Sequence, residues 1–192
     1  MARPAVTSSS IALIEIRLEP LTRAAFAPFG WLLEGGSGPP SFTRPGLEHW
    51  RFPFEADAPF RLQVMRYHRQ ALQLSRLERH IAVTEARMPV AANRAVLVVA
   101  DDKGDRDPEP ETVRAFLLDG SAGIMFKQGT WHGLDCFPVD GPHADFLFLT
   151  DQATEAEIEA QPTPVSGQRT HIADYPSDEG PAFVIRDLDG LI

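Results

Sequence analysis

The run Ala95-Val96-Leu97-Val98-Val99-Ala100 is the longest purely apolar stretch in this 192-residue chain. It is too short for a helix of ordinary length, and its central four residues read as a strand covered on both faces. A strand of that kind needs neighbours, and the flanking sequence supplies them. Upstream, Phe60, Leu62 and Val64 alternate within residues 60–67, and Leu72 and Leu74 open a second strand-like stretch that runs to His80. Residues 86–90 form a short third one that meets a predicted hairpin turn at Ala91-Ala92-Asn93. Downstream, residues 113–118, 123–127 and 146–149 add further strands. Between them, residues 101–111 hold six acids, two bases and two prolines, which reads as a solvated loop and not a site.

Toward the ends, Ile14, Ile16 and Leu18 alternate as a half-buried strand should. Thr22 is expected to cap a short helix over residues 23–29 that stops at Gly30, and Thr154 to cap a last helix over 155–160. Residues 35–46 read as a loop from their Gly, Pro and Ser content. The expected organisation is a disordered arm (1–10), a barrel domain (11–160) and an extension (161–192) that packs on the barrel or on a partner subunit. Within that extension only residues 183–188 look like a strand. Many short strands between frequent turns favour a mainly β, closed or double-sheet architecture with a few short helices. Such barrels commonly hold a small ligand in their mouth.

Composition narrows the partners. Eighteen basic and 27 acidic side chains give a net charge of −9, which argues against nucleic acid and anionic membrane surfaces. No apolar run approaches the roughly 18 residues of a membrane span, and residues 11–14 alone do not make a signal peptide. A lone cysteine, Cys136, cannot form an intrachain disulfide, so a reducing compartment, the cytoplasm, is expected.

Four of the six histidines, His49, His68, His143 and His171, read as surface side chains. The other two stand in more telling contexts. In Leu77-Glu78-Arg79-His80-Ile81-Ala82-Val83-Thr84-Glu85, a strand puts Glu78 and His80 on one face and Arg79 on the other. A turn at 81–84 would return Glu85 to the side of His80 on the next strand. In Gly129-Thr130-Trp131-His132-Gly133, glycines bracket His132. The spacings His80-x4-Glu85 and Gly129-x2-His132 resemble the two motifs of cupin barrels, with Glu78 in place of a first histidine. Two imidazoles and two carboxylates (Glu78, His80, Glu85, His132) would suit a divalent metal with open positions, and would equally suit acid–base work without one. The plainer alternative is a His80–Glu85 pair across a sheet with His132 capping a loop.

Arg76-Leu77-Glu78-Arg79-His80, residues 96–101, Thr112-Val113-Arg114-Ala115-Phe116 and Gly129-Thr130-Trp131-His132, in this order and spacing, resemble the ureidoglycolate lyase family. The similarity runs from about residue 20 to 151. It implies a cupin-like double-stranded β-helix (a jelly-roll barrel), a homodimer, and cleavage of ureidoglycolate to glyoxylate and urea in allantoin and purine catabolism. The chain departs from the family pattern at Gly133 and Lys127, where the family tends to carry histidine, and at Glu85, where it carries an amide. On this resemblance His80, His132, Glu85 and Lys127 are the catalytic candidates. Arg66, Arg79 and Trp131 are candidates for holding a small anionic substrate. His80 or His132 would act as base, Glu85 or Glu78 as acid or orienting group, and Lys127 or Arg66 as carboxylate partner. Each basic residue reads alternatively as a surface ion pair, and Trp131, like Phe146 and Phe148, as packing. Two other readings stay open: a metal-dependent cupin dioxygenase or isomerase acting on a small acid, and a non-catalytic small-ligand binder.

Overall fold

In the computed structural model, which describes residues 12–192 apart from 37, 103, 105, 162, 164, 179 and 188, the run 95–100 is the strand on which two cores meet. Val96, Val98 and Ala100 face one core, and Ala95, Leu97 and Val99 face the other. All six are fully buried, so the unbroken apolar run follows from a strand that has no wet face.

In chain order the elements are β1 (Ile14–Pro20), α1 (Arg23–Phe26), β2 (Gly30–Leu33), β3 (Phe42–Arg44), β4 (Leu47–His49), β5 (Phe60–His68), β6 (Gln73–Leu74), β7 (Arg76–His80), β8 (Glu85–Pro89) and β9 (Ala95–Ala100). They continue with β10 (Arg114–Leu118), β11 (Gly123–Phe126), β12 (Trp131–Gly133), β13 (Phe137–Pro138), β14 (His143–Asp151), α2 (Gln152–Glu159), β15 (Thr170–Asp174) and β16 (Phe183–Arg186). The fold is mainly β. A nine-stranded sheet follows the path β15-β7-β12-β9-β10-β1-β16-β6, with β13 beside β9. It faces a five-stranded sheet of order β2-β11-β8-β14-β5, and β3 and β4 form a separate hairpin.

The inner core lies between the two sheets. It is aromatic, with Phe26 edge-on to Phe116 at 6.0 Å and Tyr67 edge-on to Phe146 at 5.9 Å. The outer core forms because the large sheet curls back on itself. Its first strands and its last, β7 and β6, are consecutive in the chain, with only Ser75 between them. Tyr175 and residues 182–185 close this core: Tyr175 N–H donates to Ser75 O (2.8 Å), Ala182 N–H to Ser75 Oγ (2.9 Å), and Phe183 and Ile185 are buried in one cluster with Leu77 and Val98.

Several local expectations differ from what forms. The expected arm, residues 1–10, lies outside the described residues. Helix α1 ends at Phe26, three residues early, because Pro28 has no amide hydrogen to continue it. Helix α2 starts at Gln152 with Asp151, not Thr154, as its cap; Asp151 Oδ1 accepts from Thr154 N–H at 2.7 Å. The turn at 91–93 does not make a hairpin, since β8 and β9 belong to different sheets. Strand β15 was invisible to alternation, since it is organised by pairing along β7, Thr170 opposite His80 and Asp174 opposite Arg76. No helix among the described residues is long and apolar enough to cross a membrane.

Candidate active site

Three elements bring the titratable groups together. Period-two alternation on β7 turns Glu78 and His80 inward, and β12, paired with β7 at His132 opposite Glu78, turns His132 the same way. Glu85 arrives differently from the expectation. Strand β8 does not lie beside β7 but in the opposite sheet, so Glu85 meets His80 across the inner core, Oε2 to Nε2 at 3.3 Å. The two imidazole rings are 5.2 Å apart, and His132 stacks on Phe126 at 4.6 Å and 6°.

Glu78, His80, Glu85 and Arg87 line a cavity of about 380 Å³. Met65 of β5 and Phe148 of β14 form its apolar side, and Glu155, Ile158 and Glu159 of α2 stand along another wall. Arg87 is 1% exposed, which for a guanidinium requires a partner inside the protein. That partner is Glu85: Nε donates to Oε1 at 2.6 Å, while Nη1 donates to Cys136 Sγ at 3.3 Å. The remaining nitrogen, Nη2, has no hydrogen-bond partner among the described residues.

Environment separates the protonation states. Burial works to raise the Glu85 carboxyl, but Arg87 and the two imidazoles outweigh it and hold it well below the carboxylate range. Burial likewise pulls His80 down, yet the Glu85 hydrogen bond and the Glu85 and Glu78 charges leave its pKa above the usual histidine value. For His132 the balance falls the other way: burial, with the Arg87 and His80 charges, outweighs the pull of Glu85 and carries it down to about 3. Its Nδ1–H donates to Gly133 O at 3.0 Å, and its Nε2 is buried without a partner. Burial also pushes the Glu78 carboxyl up. The site therefore contains a fixed carboxylate, a second carboxyl made more basic by burial, an imidazole that favours its proton and one that does not.

Ligand atoms of Glu78, His80 and His132 lie within 4.8 Å of one another. Two imidazole nitrogens and one oxygen, with one imidazole nitrogen left unpartnered, are a donor set that a divalent ion could occupy. Glu85 is outside this group, because its oxygens are already engaged by Arg87 and His80.

Five expected substrate or catalytic groups do not line the cavity: His132, whose buried ring stands behind it on Phe126, and four that lie farther off. Lys127 follows the end of β11 and donates Nζ to the carbonyls of Ala27 (2.6 Å) and Pro28 (3.2 Å). Arg66 is on the solvent side of edge strand β5, bidentate to Asp145 across the pair with β14 at 2.7 Å for both bonds. Arg79 obeys strand parity and faces away from His80; it donates to Asp102 (2.9 Å) and Gly104 O (2.6 Å) and lies 4.7 Å over the Trp131 ring. Trp131 is packing in the outer core, whereas Phe148, expected only to pack, does reach the cavity. Arg87 was missed, though its spacing of two from Glu85 on a strand puts both on one face. The departure at Gly133 takes nothing from the cavity, since a Cβ there would sit by Asp135 O (3.3 Å), Leu74 and Val98 on the outer side.

Two facing sheets with a histidine–carboxylate cluster between them at one end of the core define a cupin-like β-barrel with an enzyme-like site. The model of the ureidoglycolate lyase family matches residues 13–166. Ureidoglycolate lyase of Azotobacter vinelandii is 35% identical over 126 residues, covering 61% of this chain and 74% of that protein. Ureidoglycolate lyase of a Chelativorans species is 32% identical over 144 residues, covering 70% and 84%. This chain belongs to the ureidoglycolate lyase family.

Proposed function

We propose that this protein is a carbon–nitrogen lyase that splits ureidoglycolate into glyoxylate and urea, as a step of allantoin breakdown in the cytoplasm, and that it works as a homodimer. The observation that carries the reading is the cluster of Glu78, His80, Glu85 and Arg87 on one cavity in a chain of this family. The substrate carbon bears a hydroxyl, a carboxylate and a urea nitrogen. Elimination breaks the C–N bond while the hydroxyl loses its proton and the departing nitrogen gains one.

In this reading His80 delivers its Nε2 proton, the one directed at Glu85, to the leaving nitrogen, and Glu85 holds the ring in place. Glu78, a carboxylate made more basic by burial, takes the hydroxyl proton. Its oxygen is 3.9 Å from His80 Nε2, close enough for one water to return the proton and reset the pair. Arg87 Nη2 is the group available for the substrate carboxylate, a role that offsets the acidity of the surrounding wall. His132 stands behind the cavity wall, stacked on Phe126 with its ring 5.2 Å from that of His80.

A divalent ion, if bound, would be held by Glu78, His80 and His132 and would polarise the substrate oxygens as a Lewis acid. The test is to give the purified protein racemic ureidoglycolate and follow glyoxylate release with and without a chelator. Release is expected, and its absence from folded protein sinks the lyase reading. A loss on chelation assigns the metal. Light scattering at micromolar concentration checks the dimer; a monomeric mass refutes it.

A further inference from the structure

The imidazole of His80 is held from behind by a residue of the C-terminal extension. Its Nε2 faces Glu85 and Glu78 in the cavity, and its Nδ1 lies 3.0 Å from Thr170 Oγ1. Thr170 opens β15, directly opposite His80 in the β15–β7 ladder, and is 2% exposed. The family match ends at residue 166, so Thr170 lies beyond it.

This segment is built to keep Thr170 in place. The Glu157 carboxylate on α2 accepts from the backbone N–H groups of Gln168 (2.7 Å), Arg169 (2.9 Å) and Thr170 (2.7 Å). A Cβ at Gly167 would lie 2.4 Å from that carboxylate, so only glycine leaves it room. Arg169 reaches back to Asp151 (2.8 Å) and to Thr154 Oγ1 (3.0 Å), at the start of the same helix, and its carbonyl accepts from Ile81 N–H (2.9 Å). Helix α2 thus carries cavity-lining side chains, Glu155, Ile158 and Glu159, and also the carboxylate that gathers the Thr170 turn.

We propose that Thr170 is a positioning residue: its hydroxyl fixes the ring of His80, so that the C-terminal extension completes the site. A hydroxyl can accept from Nδ1–H or donate to a bare Nδ1, which lets it hold the ring whichever nitrogen carries the proton. Valine has nearly the same shape and neither capacity. The inference about turnover rests on the lyase reading given above; the inference about the ring does not.

Two measurements on the full-length protein test it. In glyoxylate release, T170V is expected to lose roughly ten-fold or more in kcat with KM little changed, and T170S to recover most of the loss. In a long-range 1H–15N spectrum of the imidazoles without substrate, His80 is expected to give one sharp set of signals in the wild type and T170S. In T170V that set is expected to split or broaden as the ring loses its anchor. T170A serves in the same way if valine is not accommodated. Wild-type kcat in a folded T170V overturns the proposal, as does equal loss in T170S and T170V. If the wild-type protein releases no glyoxylate, the lyase reading fails by itself, and an unchanged His80 spectrum in T170V then overturns the positioning role separately.

Discussion

Among the described residues two arginines are buried, one on each side of the layer that separates the cores, and they do different things. Arg79, on the outer face of β7, stacks on Trp131 and pairs with Asp102, a carboxylate that is still 46% exposed. Arg87, on the inner face of β8, pairs with Glu85, of which only 2% is exposed, among the rings of Tyr67, Phe126 and Phe148. The outer pair has water within reach and closes a surface. The inner pair is closed off from the outer surface and borders the cavity. Burial alone does not mark a functional charge; the side of the sheet on which it is buried does.

The comparison breaks most visibly by removing each guanidinium in turn. R87M leaves the buried Glu85 with His80 as its one charged partner, so a loss of roughly 3–5 kcal/mol is expected in urea denaturation, together with loss of turnover in whatever folds. E85M/R87M, which removes both charges, is expected to recover part of that stability but none of the turnover. R79M removes charge-assisted hydrogen bonds that water can partly replace; about 1–3 kcal/mol of stability is expected to go, with kcat of the folded protein unchanged. Equal effects of R87M and R79M on kcat would erase the distinction between the two faces.

A second contrast sits inside the cavity, between two proton-transfer candidates. E78Q keeps shape and hydrogen bonding but has no carboxylate to take a proton; a loss of about 100-fold in kcat is expected from steady-state glyoxylate release. H80Q is expected to lose at least as much. Near-wild-type turnover in both would move the chemistry elsewhere.

How much of this was legible beforehand follows from what each signal encodes. The run at 95–100 announces a strand with two buried faces, and that constraint leads to two facing sheets. Parity on β7 correctly put Arg79 away from His80. Parity could not say that β8 changes sheets, because a crossing from one sheet to the other and a hairpin look alike over the four residues 81–84. Glu85 does lie beside His80 but comes from the opposite sheet, and Arg87, on the same face two residues on, went unread. Lys127 and Arg66 looked available because the groups that engage them, the Ala27 and Pro28 carbonyls and Asp145, are 79 to 100 residues away in the chain. Strand β15 shows little alternation because its inner residues, Thr170 and Ile172, differ in polarity; one serves the site and the other the packing.

The two histidines differ in how acid reaches them, which gives a smaller and separable effect. His132 has a folded pKa of about 3 against about 6.5 when unfolded. Between those values the unfolded chain binds a proton that the folded protein refuses, so stability falls as pH drops from about 6.5 toward 3. His80 has the opposite sign: its folded pKa is raised, so its contribution is full below about 6.5 and is lost as pH rises through the folded value. From pH 7 to pH 5 the wild type is expected to lose about 2 kcal/mol that H132Q does not lose, measured by urea denaturation of both proteins at both pH values. An identical pH dependence would mean that His132 is solvated or charged in the folded protein.

The smallest effects are expected where the chain departs from its family without touching the cavity. Arg66 and Lys127 are basic residues that a carboxylate substrate would be expected to seek, yet one is matched by Asp145 and the other by two backbone carbonyls. Neither lines the cavity. R66A and K127A are expected to change KM and kcat by no more than about two-fold, as substitutions away from packed and functional contacts do. If K127A instead raised KM strongly while leaving kcat alone, the substrate carboxylate would be met at the end of β11. Arg87 would then keep only its structural pairing with Glu85, and the separation between an inner, functional arginine and an outer, structural one would fail at its inner side.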